Sequence, residues 1–151
     1  MLNLRVICVG KLKEEFYKEA CAEYVKRMRS LCQLEIVELK EETGERKLEK
    51  EADAILAAIP AGSTVWALCI EGKLLSSEEL AEKIAETALG GASRIVLLIG
   101  SSEGLAERVK KSASFGLSMS KMTFPHHLAR VMLLEQLYRA LMIGEGRKYH
   151  K

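Results

Sequence analysis

Residues 94–104 read RIVLLIGSSEG, and this stretch decides the fold class. The apolar run from Ile95 to Ile99 is typical of a strand buried on both faces of a sheet. The strand ends at Gly100, and after Gly104 the pattern predicts a short helix from Leu105 to Ser112. A buried strand followed by a glycine turn and a helix is the building unit of an α/β domain.

The same alternation extends outward in both directions. We predict further strands over 2–9, 34–39 and 64–70, and further helices over 14–29, 46–59, 76–89 and 125–143. Ser76 and Glu79 have the spacing of a capping box at the start of one helix. The segments favour an α/β fold with a mostly parallel sheet and helices on both faces. With 151 residues and no low-complexity linker, we expect one domain over residues 1–151.

Ligands of such sheets bind outside the carboxyl ends of the strands. This rule points to the loops after Val9, Ile70 and Ile99. The loop from Gly100 to Gly104 matches neither the dinucleotide-binding pattern nor the Walker pattern. A flavodoxin-like nucleotide module would need a hydroxyl- and glycine-rich loop after the first strand, and the sequence there is GKLKE.

The segment LSMSKMTFP, residues 117–125, fits neither strand nor helix periodicity. A buried irregular segment needs partners for its backbone polar groups, and a cofactor such as an adenine ring would supply them. The alternative is a strand edge that runs into the start of a helix. Both interpretations stay open from the residues alone.

Composition limits the function classes. The net charge is only +2, which argues against a protein coated with basic side chains but allows a local basic patch. No apolar run reaches the roughly 18 residues of a membrane span, so we expect a cytoplasmic protein without membrane contact. The four cysteines form no Cys-x-x-Cys pair; we therefore expect reduced, buried thiols and no metal site.

The last helix and the tail each support a further prediction. Between Leu128 and Met142 only four side chains are strongly polar, so most sides of this helix should be covered. We expect a second copy of the chain to cover one of them. After the helix, Tyr149 and His150 lie among three cations, a combination suited to stacking on a base and binding phosphate.

Several motifs together resemble the ribosomal RNA large-subunit methyltransferase H family. They are VGKLK around Gly10, IEGK and SSE in 70–78, LLIG with Gly104, LSMSKMTFPH, LLEQLYR, and the terminal Tyr149-His150. The resemblance covers the full chain. It implies the SPOUT class of α/β fold, with a trefoil knot near the carboxyl end, acting as a homodimer. It further implies S-adenosylmethionine as methyl donor and N3 of a pseudouridine in 23S ribosomal RNA, within the assembled ribosome, as target.

The resemblance also implies a cofactor site. Leu68 matches the strand position that contacts S-adenosylmethionine, and Gly100 matches the glycine beneath it. The loop that surrounds the adenine and methionine parts corresponds to Met119, Ser120, Lys121, Met122, Thr123 and Phe124. Two residues depart from the family pattern beside this site, Ser101 in place of a glycine and Cys69 in place of an acidic residue.

Tyr149 and His150 match the family tail that reaches the target base from the partner subunit, and we assign His150, Tyr149 and Arg139 as the catalytic residues. We assign His150 as base or hydrogen-bond partner, Tyr149 as stacking platform, and Arg139 with Arg147 as phosphate or anion contacts. Lys148 stands where the family has proline. The alternative function is a non-catalytic ribosome-binding factor of the same fold, which would not bind S-adenosylmethionine.

Overall fold

The computed structural model describes all residues, 1–151. Strands and helices alternate along the chain. Their bounds are β1 Asn3–Val9, α1 Glu15–Met28, β2 Gln33–Leu39, α2 Lys47–Ala58, β3 Thr64–Leu74, α3 Ser77–Leu89, β4 Arg94–Ile99, α4 Glu107–Ser112, β5 Phe115–Ser118 and α5 His126–Gly144.

The five strands form one sheet in the order β2-β1-β4-β3-β5, and every neighbouring pair is parallel. The predicted fold class is confirmed. Helices α1, α3 and α5 cover one face of the sheet, whereas α2 and α4 cover the other. Along β4, Ile95 and Leu97 enter the first core and Val96 and Leu98 enter the second, which explains why this strand is apolar throughout.

Most predicted boundaries agree with the structure within two residues. The capping box at α3 is formed: the Glu79 amide donates to Ser76 Oγ at 3.0 Å, and the Ser76 amide donates to Glu79 Oε1 at 2.8 Å. One prediction was incomplete, since the segment that we began at Leu117 overlaps the short strand β5, which ends at Ser118, and only its remainder is irregular. Periodicity could not reveal a strand of four residues containing Gly116.

Strand β3 is longer than predicted and contains a bulge. Both Leu68 and Lys73 are in register with Leu117, so residues 69–72 loop out opposite a single residue of β5. The absence of a side chain at Gly72 makes the close approach of the bulge to β5 possible, because a Cβ there would lie 2.6 Å from the backbone carbonyl carbon of Gly116. The bulge turns Cys69, which we expected to be buried, into a half-buried residue.

The other three cysteines are buried free thiols, and burial raises the pKa of Cys8 to about 12. No three His, Cys, Asp or Glu side chains are grouped as they would be around a metal ion. None of the helices combines the length and apolar character that crossing a bilayer requires.

Candidate functional site

A cleft with a volume of about 330 Å³ opens at the carboxyl ends of β3, β4 and β5. This volume lies at the small end of the range for small-molecule sites, roughly 300–1,000 Å³. Three segments supply most of the walls, 68–71, 99–105 and 117–124, and the start of α5 closes one end. The sheet therefore brings together residues that are about 50 positions apart in the chain.

The loop after β4 forms the floor. The Gly104 amide donates to the Ser101 carbonyl at 2.8 Å, and Gly104 has a φ of 82°, which favours glycine. A Cβ at Gly100 would lie 2.4 Å from the carbonyl carbon and oxygen of Gly104. Only a residue without a side chain therefore allows this tight turn beneath the cleft.

Ser101, the first departure from the family pattern, fits the turn and adds an anchor. Its φ is not positive, so a side chain is tolerated. The hydroxyl donates to Glu51 Oε1 at 2.9 Å, and Glu51, which is 2% exposed, also accepts from the Glu42 amide at 3.0 Å. Ser101 thus ties the floor of the cleft to α2.

Cys69, the second departure from the family pattern, lines the wall of the cleft that the β3 bulge forms. Burial raises the pKa of its thiol, so the group stays protonated at neutral pH. Glu71 supplies a carboxylate on the same wall and pairs with Lys110. The hydrogen bond from Lys110 lowers the pKa of Glu71. An acidic group is therefore present, two residues further along the bulge.

The irregular segment after β5 forms the opposite wall. Its turn is held by two local bonds, Ser118 Oγ to the Ser120 carbonyl at 2.9 Å and the Met122 amide to Ser120 Oγ at 3.0 Å. Of the eight residues predicted for the cofactor, seven line this cleft: Leu68, Gly100, Met119, Ser120, Met122, Thr123 and Phe124. Lys121, whose side chain is exposed, does not line the cleft.

The loop after Val9 does not line the cleft, although the strand-end rule pointed to it together with the loops after Ile70 and Ile99. Two histidines at the start of α5 occupy the space above it. A Cβ on Gly10 would lie 3.1 Å from His127 Nε2 and 3.2 Å from His126 Nε2. The ligand site is therefore restricted to the ends of β3, β4 and β5.

His126 lines the cleft and was not assigned to it from the sequence. Its Nε2 atom is buried without a hydrogen-bond partner, 3.5 Å from Glu41 Oε1. Burial is the main cause that lowers the pKa of His126, so the ring is neutral at pH 7. The only sequence signal for His126 was its position directly after Pro125, at the start of a helix.

The three predicted catalytic residues form a cluster on α5 and the tail. Arg139 donates to both oxygens of Glu135, at 3.2 and 2.9 Å, and the Tyr149 hydroxyl donates to Glu135 Oε2 at 2.8 Å. Burial and the bond to Glu135 raise the pKa of Tyr149 to about 12. His150 places Nδ1 3.1 Å from Arg139 Nη1 and Nε2 against Glu78.

These contacts determine the tautomer of His150. Arginine has donors only, so Nδ1 of His150 must accept from Arg139. The proton therefore resides on Nε2, which donates to the Glu78 carboxylate. The ring is thus held between the Glu78 carboxylate, which accepts, and the Arg139 guanidinium, which donates.

None of these three residues lines the cleft of its own chain. A second groove of about 420 Å³ lies beside α5, and its walls include Glu135, which bonds to Arg139 and Tyr149. The two depressions share residues 117–119. A single chain therefore presents the cleft and the tail cluster on either side of one segment.

The cleft suits an elongated ligand with an apolar ring and polar ends. Leu68, Ile99, Leu117 and Phe124 supply apolar contact, and the loop after β4 supplies backbone groups at close range because Gly100 has no Cβ. These features fit the adenine and amino-acid parts of S-adenosylmethionine.

Comparisons with known proteins agree with this geometry. A family model described as "Predicted SPOUT methyltransferase" matches residues 2–150. Relatives named Ribosomal RNA large subunit methyltransferase H are 49% identical in Clostridium novyi (strain NT) and 42% identical in Lactococcus lactis subsp. cremoris (strain SK11). Both alignments cover 99% of this chain and 100% of the relative.

Solved structures share the fold at low identity. The tRNA (m1G37) methyltransferase from Aquifex aeolicus has a TM-score of 0.56 at 16% identity, over 91% of this chain and 69% of that chain. A "probable methylase family protein" from Haemophilus influenzae Rd KW20 has a TM-score of 0.59 at 17% identity, over 99% of this chain and 71% of that chain.

Proposed function

The chain belongs to the SPOUT methyltransferase family, and from this premise we propose that it transfers a methyl group from S-adenosylmethionine to 23S ribosomal RNA. The target proposed is N3 of a pseudouridine, within the assembled ribosome and hence in the cytoplasm. The convergence of Gly100 with the 119–124 segment in one cleft carries the proposal. Full-length relatives named for this activity support the choice of substrate.

The cleft residues bind and orient the donor. When bound, S-adenosylmethionine supplies a methyl group on a positively charged sulfur. The walls from β3 and the 119–124 segment exclude water, and the loop at Gly100 holds the ligand from below. Such positioning of two reactants is a large part of catalysis when the chemical step is a simple transfer.

His150 removes the proton from the target. An imide nitrogen such as N3 must lose its proton to attack well, and the atom of His150 able to accept it is Nδ1, because Nε2 already bears the ring proton. The incoming base displaces Arg139 from Nδ1, while Arg139 keeps its two bonds to Glu135. Glu78 then faces the doubly protonated ring and stabilises its charge.

A homodimer completes the site in this proposal. The cleft and the tail cluster lie apart in one chain, so the tail of one protomer would serve the cleft of its partner. The half-buried side chains of Val131 and Met132 on α5, beside the second groove, offer the apolar contact for a second copy. Every residue of α5 from His126 to Ile143 is already buried or half-buried.

The trefoil knot of the family is also proposed for the carboxyl end. The proposal rests on the family to which the chain belongs. Mechanical stretching from both termini tests the knot. A knotted chain stays shorter than the roughly 540 Å expected of 151 extended residues, whereas an unknotted chain reaches that length.

Mass mapping of 23S ribosomal RNA tests the function. Ribosomes that lack the modification are incubated with S-adenosylmethionine and either the full protein or a variant truncated after Gly146. We expect one added methyl group with the full protein and none with the truncated one, although both bind S-adenosylmethionine in calorimetry. A full protein that binds ribosomes but not S-adenosylmethionine would identify a non-catalytic ribosome-binding factor instead.

A further inference from the structure

Glu51 is the only buried side chain among the 21 aspartates and glutamates of this chain. It lies near the start of α2 and is 2% exposed. A glutamate is rarely buried without a cation beside it, yet Glu51 forms no ion pair. Lys47, one turn earlier on α2, pairs with Glu41 instead. Burial of this carboxylate therefore costs stability, and its contacts indicate what it serves.

Both oxygens of Glu51 accept hydrogen bonds from loops. Oε1 accepts from the Ser101 hydroxyl at 2.9 Å, and Oε2 accepts from the Glu42 amide at 3.0 Å. Ser101 belongs to the loop at the floor of the cleft and is 4% exposed. Glu51 thus holds two loops at the carboxyl edge of the sheet, the one after β4 and the one after β2.

The loop after β2 also lies behind a second wall of the cleft. Glu41, next to Glu42, accepts from Lys47 at 2.9 Å and places Oε1 3.5 Å from His126 Nε2. His126, at the start of α5, lines the end of the cleft. One buried carboxylate is therefore bonded to the floor of the cleft and to the segment that contacts its end.

Loss of Glu51 would leave the Ser101 hydroxyl and the Glu42 amide without partners. Buried donors without acceptors are costly, so both loops would move towards water. The Gly104 amide donates to the Ser101 carbonyl at 2.8 Å, so the turn moves together with Ser101. Such a movement displaces Gly100, the residue on which the floor of the cleft depends.

We propose that Glu51 is a positioning residue for S-adenosylmethionine, an inference that rests on the proposed function. Glu51 does not line the cleft. It acts through Ser101 and Glu42, by keeping the floor loop in the geometry that the bound donor needs. The family resemblance places glycine at position 101, so the side-chain bond between Ser101 and Glu51 distinguishes this chain.

Calorimetric titration with S-adenosylmethionine tests the proposal. Glu51→Met keeps a side chain of similar length but loses both bonds, and Ser101→Ala loses only one. We expect affinities about tenfold and about threefold lower, respectively. The double variant should bind about as weakly as Glu51→Met alone, because the two changes break the same bond. Glu51→Gln should restore near wild-type affinity, since its amide can donate to Ser101 while its carbonyl accepts from Glu42.

Ile55→Val is the matched control. Ile55 lies one turn further along α2 and is also 2% exposed, but it packs in the second core. Removing one methylene there should lower the urea midpoint of unfolding and leave the affinity for S-adenosylmethionine unchanged. A lower stability by itself therefore does not imitate the effect expected for Glu51.

Hydrogen exchange gives a readout that needs no cofactor. The amides of 41–44 and 101–104 should exchange faster in Glu51→Met than in the wild type, and at the wild-type rate in Ile55→Val. Wild-type affinity in Glu51→Met, or losses that multiply in the double variant, would overturn the proposal. Should Glu51→Met not fold, wild-type affinity in Ser101→Ala overturns it alone.

The proposed function fails separately. A wild-type protein that does not bind S-adenosylmethionine would refute that function, and the exchange rates would still decide whether Glu51 holds the two loops.

Discussion

Gly100 is the residue on which the cleft depends most directly. A Cβ there would lie 2.4 Å from the Gly104 carbonyl, and backbone atoms, unlike a flexible side chain, cannot yield at low cost. Ser101 next to it is held by Glu51, so the loop has little freedom to move outward. The chain thus combines a position that excludes any side chain with one that uses a side chain as an anchor.

We predict that Gly100→Ala lowers the affinity for S-adenosylmethionine by roughly tenfold or more, about 1.4 kcal/mol. The added methyl group displaces the loop that forms the floor of the cleft. Calorimetric titration measures the effect. Gly144→Ala is the control, because a Cβ there meets nothing within 4 Å and should leave the affinity unchanged. Equal affinities in the two variants would contradict the placement of the cofactor.

At the scale of elements, Arg130 joins α5 to β2 and to the end of β1. It is 2% exposed and donates to Glu38 and, at 2.8 Å, to the Gly10 carbonyl. Burial raises the pKa of Glu38, but the hydrogen bond and charge of Arg130 outweigh it and the net pKa is lowered. The pair thus helps to position the helix that closes the cleft.

We predict that Glu38→Gln destabilises the fold by about 2–3 kcal/mol at pH 7. This is below the roughly 3–5 kcal/mol for breaking a fully buried pair, because Glu38 is 36% exposed. Because the folded pKa is lowered, the contribution is complete above the unfolded value, about 4.3, and is lost as the pH falls through the folded pKa.

Urea unfolding at pH 7 and at about pH 3 measures both effects as a shift in midpoint with unchanged slope. The difference between wild type and variant should shrink at the lower pH. Glu35→Gln on the same strand is the control, since Glu35 is 56% exposed and pairs with Arg5; it should cost less than about 1 kcal/mol. Equal losses in the two variants would exclude a special role for Arg130.

At the scale of the whole molecule, the proposed homodimer makes a prediction that no single chain can meet. Gly100→Ala weakens the cleft and His150→Ala disables the tail, so at S-adenosylmethionine concentrations well below the Kd of Gly100→Ala each variant alone should have little activity. A refolded equal mixture should regain about a quarter of the wild-type rate, because about half of the dimers are mixed and each has one intact composite site. Methyl transfer to ribosomes measures the recovery.

Two outcomes would count against a composite site. No recovery in the mixture, with mixed dimers demonstrated by differently tagged chains, would mean that each tail serves its own cleft. A monomeric mass in analytical ultracentrifugation at micromolar concentration would remove the dimer itself. Mixing Gly100→Ala with itself under two tags provides the baseline for the measurement.

The sequence by itself determined the alternation of elements, the parallel sheet and most of the residues that line the candidate cleft. Apolar runs such as Ile95–Ile99 identify strands buried on both faces, because alternate side chains enter the two cores and every position must therefore be apolar. The family motifs predicted that Gly100 and the 119–124 segment lie close together. The strand-end rule pointed independently to the loop at Gly100. The family itself, inferred from those motifs, is confirmed.

Only the tertiary structure decided the remaining features of the cleft. The bulge that presents Cys69 and Glu71, the short strand β5, and the exclusion of the Val9 loop by two histidines all arise from contacts between distant segments. The contacts of Tyr149 with Tyr138 and of Ser101 with Glu51 likewise could be seen only in the tertiary structure. Local sequence patterns report periodicity along the chain, whereas these features depend on which backbones approach each other in space.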